Sequence, residues 1–103
     1  MARKTHYLKS WVGLFQPIHD GIKSHDLRVL DRDYAVGDWL HLSEWDASNA
    51  KYTGRDCMVE VTYITSEKHS PCAFSPIALH PAMGVLSIRK LSNEELREPW
   101  PTA

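Results

Sequence analysis

The stretch Asp38–Thr65, "DWLHLSEWDASNAKYTGRDCMVEVTYIT", reads as two strands joined by a turn. In its first part Leu40, Leu42 and Glu44 alternate with Trp39, His41, Ser43 and Trp45, the period of two that a pleated strand imposes. In its last part Cys57, Val59, Val61 and Tyr63 alternate against Met58, Glu60, Thr62 and Ile64. "DASNAKYTG" between them holds Asp, Ser, Asn and Gly, the residues that tolerate turn geometry. A long antiparallel hairpin is the expected result.

Working outward, "THYLK" at residues 5–9 alternates briefly and predicts a first strand. Ser10 stands where it could cap a helix carrying Trp11, Leu14, Phe15 and Ile18 on one apolar stripe, which would make Trp11 and Phe15 core. Pro17 lacks the N–H that would bond back to Gly13, so a kink or a late start is expected, and Asp20-Gly21 ends the helix. Downstream, the proline-bearing "SEKHSPCAFSPIALHPA" reads as a loop and "MGVLSIRKL" as a closing strand. Ser92-Asn93-Glu94-Glu95 has capping-box spacing, so residues 92–103 read as a short terminal helix and tail. The sum is an α+β domain, a small partly closed β-barrel of about five mostly antiparallel strands with one or two short helices.

At 103 residues the chain supports one hydrophobic core and therefore one domain, 1–103. A net charge of −1 excludes the global positive field that drives non-specific polyanion binding, so any such site must be a local patch. No apolar run approaches the roughly 20 residues of a membrane span, and a soluble cytoplasmic protein is expected. Cys57 and Cys72 fit neither a disulfide framework nor a Cys-x-x-Cys site, and none of the six histidines has ligand spacing to another. No metal and no cofactor are expected.

Chemistry concentrates in "GIKSHDLRVLDRDYAVGD", Gly21–Asp38. If its middle is extended, Asp26, Arg28 and Leu30 share one face, while Leu27 and Val29 take the other and would be core. Arg28 and Arg32 offer planar forks suited to phosphate, Lys23 adds a point charge, and Arg55 is a fourth candidate. Asp26, Asp31 and Glu44 are carboxylates that could serve as partners or as acid–base groups. The same residues also admit a purely structural network, with Arg28 on Asp31 or Glu44 and Arg32 on Asp33. Among the aromatics, Trp45 and Tyr52 are the better candidates for stacking a base.

Five ordered motifs carry a resemblance: Gly21-x-Lys23-Ser24-x-Asp26-x-Arg28, Asp31-Arg32-Asp33-Tyr34-x-Val36-Gly37-Asp38, Leu42-x-Glu44-Trp45-Asp46, Tyr52-Thr53-Gly54-Arg55 and Val61-Thr62-Tyr63-Ile64. Together they resemble the small phage and bacterial ASCH-like domains of the DUF3850 type, within the PUA-like superfamily. The resemblance implies a pseudo-barrel with a cleft beside the Gly-x-Lys motif and an association with RNA and modified nucleosides. It implies a site-facing role for Lys23, and puts Asp26 where the family usually has glutamate. Relatives that hydrolyse acylated nucleosides have threonine at the Asp26 position, so that chemistry does not carry over intact.

The first expectation is thus an RNA- or nucleotide-binding module, with Lys23, Arg28, Arg32, Glu44, Trp45, Tyr52 and Arg55 contacting the ligand. One alternative is a small hydrolase of a modified nucleoside using Lys23, Asp26 and Glu44. Another is a phage-encoded protein that binds a protein partner through the proline-bearing loop, working in the host cytoplasm.

Overall fold

The computed structural model describes residues 3–69 and 80–97. In chain order the elements are β1 (Thr5–Trp11), α1 (Val12–His19), β2 (His25–Val29), β3 (Trp39–Asp46), β4 (Lys51–Ser66), β5 (Met83–Lys90) and α2 (Asn93–Arg97). They form one curled sheet in the order β1-β3-β4-β5-β2, with β1 parallel to β3 and every other pair antiparallel. The architecture is the small, partly closed α+β barrel expected from the alternation. The proline-bearing loop falls largely on residues 70–79, outside the described residues.

The hairpin forms as read, from β3 and β4. Leu40, Leu42 and Glu44 turn inward from β3, and Cys57, Val59 and Val61 meet them from β4. Tyr63 departs from the expected face and is exposed. A bulge between Val61 and Tyr63 in the β4–β5 register flips the parity there, sending Ile64 and Ser66 inward.

β1 runs longer than expected. It pairs with β3 through Trp11, so Ser10 is spent in the ladder opposite Glu44 and makes no helix cap. Strand parity sends Trp11 outward with Tyr7 and Lys9, which corrects its expected core position; only Phe15 and Ile18 of the helical stripe are buried. α1 continues through Pro17. Its end is a Schellman motif, with Gly21 N–H donating to the Ile18 carbonyl and Ile22 N–H to the Pro17 carbonyl. Gly21 takes the φ of +78° that this motif needs, so the glycine of Gly-x-Lys is there to stop the helix.

β2 corrects a second expectation. Asp26, Arg28 and Leu30 do share a face, but that face is the inner one, and Leu27 and Val29 are exposed. The reason is long-range: β2 pairs only with β5, placing Asp26 opposite buried Leu86 and Arg28 opposite Gly84. Gly84 admits Leu30, since a Cβ there would lie 2.7 Å from Leu30 Cδ2. At the other end the predicted capping box is made, Ser92 Oγ accepting from Glu95 N–H and Glu95 Oε1 from Ser92 N–H.

Candidate functional site

The sheet does not close on itself. Its two edge strands, β1 and β2, face each other across a cleft of about 760 Å³. A side-chain hydrogen bond crosses this seam, from Arg28 Nη2 to the Lys9 carbonyl at 3.2 Å. Tyr7 to Trp11 line one wall, Asp26 to Val29 the other, and Asp31, Arg32, Tyr34 and Tyr52 contribute from beyond the strands.

Ser10, Asp26 and Tyr34 all lie buried in this lining, and the last two carry its chemistry. Asp26 is only 4% exposed and accepts from Arg28 Nε at 2.6 Å, the short contact expected of an ionised pair. Tyr34 is 3% exposed, and among the described residues its hydroxyl has no hydrogen-bond partner. Its ring packs against His6, whose Nε2 lies 2.8 Å from Asp38 Oδ2, so the phenol is held from below. Burial pushes the Tyr34 hydroxyl above its ordinary ionisation range, opposed by the fields of Arg28 and Arg32, and it remains an O–H donor at neutral pH. An unpaired buried hydroxyl is costly, and such groups concentrate where something binds.

The structure divides the candidate residues into three places. Asp26, Arg28, Arg32 and Tyr52 line the cleft. Arg32 has an exposed fork and, among the described residues, a single ion-pair contact, 3.4 Å to Asp31 rather than the expected Asp33. Glu44 and Arg55 instead form a closed pair near α1. Arg55 Nε and Nη2 each reach a Glu44 oxygen at 2.9 Å, Thr53 Oγ1 donates to the same carboxylate, and Arg55 Nη2 also donates to Gln16 Oε1. The Arg55 guanidinium, and then Thr53, hold the Glu44 carboxyl down to about 2. Arg55 also borders a smaller hollow of about 220 Å³ with Ser43, Tyr52, Gly54 and Asp56.

Lys23 stands in a third place. It follows the helix stop, its ammonium donates to the His25 carbonyl at 2.6 Å, and it lines neither hollow. Trp45 lies on the outer face of β3, edge-on to Tyr52 at 4.9 Å and 3.9 Å beneath the Lys9 ammonium. Lys9, Tyr7 and Tyr34 are members of the cleft that the charge pattern did not single out. Tyr34 was in view as part of Asp31-Arg32-Asp33-Tyr34, but nothing in its spacing marks a buried hydroxyl.

A family model described as a domain of unknown function (DUF3850) matches residues 5–75. The chain belongs to this family. Within the DUF3850 span fall β1 to β4 and every residue of the cleft lining except Met83, so the seam is part of what the family model covers. No curated protein matches the chain.

Proposed function

We propose that this DUF3850 domain is an ASCH-like, PUA-like module that binds RNA by taking one nucleotide into the seam between β1 and β2. The observation that carries the reading is the convergence of a buried hydroxyl without a partner among the described residues, Tyr34, and a buried carboxylate, Asp26, on a cleft rimmed by Arg28, Arg32 and Lys9. Asp26 accepts from an amino or imino N–H of a base or from a sugar hydroxyl. Tyr34 O–H donates to a ring nitrogen or carbonyl. Arg32 uses its exposed fork for phosphate, and Arg28 keeps guanidinium donors beyond those spent on Asp26 and Lys9. The near-neutral net charge suits a short defined ligand rather than a long duplex.

The binding reading is better supported than hydrolysis of a modified nucleoside. Of Lys23, Asp26 and Glu44, only Asp26 lines the cleft. Glu44, ionised down to about pH 2, cannot donate a proton near neutrality.

The test is a chemical-shift titration with short RNA oligomers over a range of salt. Shifts should cluster on Arg28, Arg32, Tyr34 and Tyr52. Arg32→Ala should reduce the slope of log affinity against log salt by about 0.7, one phosphate's worth for a single strand, while leaving the thermal midpoint in place. If RNA moves no cleft resonance at any salt, the reading is wrong.

A further inference from the structure

Building on the cleft reading, we infer that the ligand is a single strand and not an isolated nucleotide, and that it leaves the seam across the outer face of β1, stacking flanking bases on Tyr7 and Trp11. β1 is an edge strand, and its alternation buries His6, Leu8 and Ser10 while projecting Tyr7, Lys9 and Trp11. Residues two apart on one strand face are separated by roughly 6.6 Å, so the row presents aromatic, ammonium, aromatic over about 13 Å. Tyr7 is 72% exposed and Trp11 60%, although rings of this size normally bury most of their surface.

Across the sheet from Trp11, Trp45 of β3 and then Tyr52 of β4 stand in register; Tyr52, 53% exposed, also borders the cleft and is braced edge-on by Trp45. Tyr7 is packed against His41 in a tilted arrangement, ring centroids 5.4 Å apart. Tyr7 and Tyr52 are therefore held as platforms without being covered.

Charge selects the occupant. The Lys9 ammonium sits over the Trp45 ring and has no carboxylate partner among the described residues, while Asp26 and Asp31 are already met by Arg28 and Arg32. The wall therefore carries net positive charge between two stacking surfaces. A polyanion with flat faces, single-stranded RNA, matches that alternation, since base stacking on exposed rings and phosphate pairing with intervening cations are how such strands are held.

The experiment compares adenylate, cytidylate and uridylate, each as the mononucleotide and as the tetranucleotide, by calorimetry on the wild-type chain, Trp11→Ala, Tyr7→Ala and Trp11→Phe. The tetranucleotide should bind at least five-fold more tightly per additional stacked base. The ratio of tetranucleotide to mononucleotide affinity should fall toward one in Trp11→Ala and less steeply in Tyr7→Ala, and Trp11→Phe should restore most of it. Equal affinity for mononucleotide and tetranucleotide in the wild type would overturn this inference and leave the cleft reading intact. A ratio that Trp11→Ala does not alter would overturn it too. Failure of every nucleotide and oligomer to bind would overturn both.

Discussion

Two buried carboxylates, Glu44 and Asp26, each meet an arginine, Arg55 on the adjacent β4 and Arg28 two residues along β2 itself, yet they differ in how completely they are satisfied. Glu44, 5% exposed, receives two guanidinium donors and a threonine hydroxyl, and its arginine goes on to anchor α1 through Gln16. Asp26 receives one guanidinium donor, and its arginine spends another on the opposite edge strand. Beside it lies a hydroxyl with no partner among the described residues. The first arrangement is closed and fixes the helix to the sheet. The second holds a gap in shape while keeping hydrogen-bonding capacity unspent, as a binding site must.

The sharpest way to break the closed side is through Phe15, which is fully buried in α1 with the Arg55 guanidinium 5.2 Å from its ring centre. Phe15→Ala should cost about 3–5 kcal/mol, because it removes a large transfer term and leaves a cavity beneath the helix. Denaturant unfolding measures this directly. A cost below about 1 kcal/mol would mean that α1 is not clamped as described.

A gentler probe of the same side is pH. Glu44 has its folded value lowered from 4.5 to about 2 by Arg55 and Thr53. A lowered carboxylate adds stability that is complete above the unfolded value and drains away as pH falls from about 4.5 toward 2. Glu95, held to about 2 by Arg89, adds a similar slope. Glu44→Gln should therefore flatten, without abolishing, the loss of thermal midpoint between pH 4.5 and 2. An unchanged slope would show that the Glu44 pair does not form in solution.

The contrast between the two pairs also marks how far the sequence could be read. Alternation in Asp38–Thr65 gave the hairpin, since period two is a local property of the chain. Capping-box spacing gave α2 for the same reason. The inner face of β2 was not legible, because its parity is set by register with β5 nearly sixty residues away, and hydrophobicity alone pointed Leu27 and Val29 the wrong way. Arg28, Arg32, Asp26 and Tyr52 were recognisable as polar or aromatic candidates. That Arg55 would be taken by Glu44, and that Tyr34 would be buried with no hydroxyl partner among the described residues, depended on which strands met.

Tyr34→Phe gives the smallest change and separates stability from binding most cleanly. Removing the hydroxyl deletes a buried donor whose desolvation the fold does not repay, so the variant should be more stable by about 1 kcal/mol. If that hydroxyl meets a ligand in the seam, the same change should weaken RNA binding by roughly 2- to 10-fold, the worth of one neutral hydrogen bond. A structural hydroxyl would behave in the opposite way, its loss costing stability. Measured together, a higher thermal midpoint with weaker binding identifies Tyr34 as held for the ligand. A lower midpoint with unaltered affinity would place its partner within the protein and remove the open seam's claim to differ from the Glu44 pair.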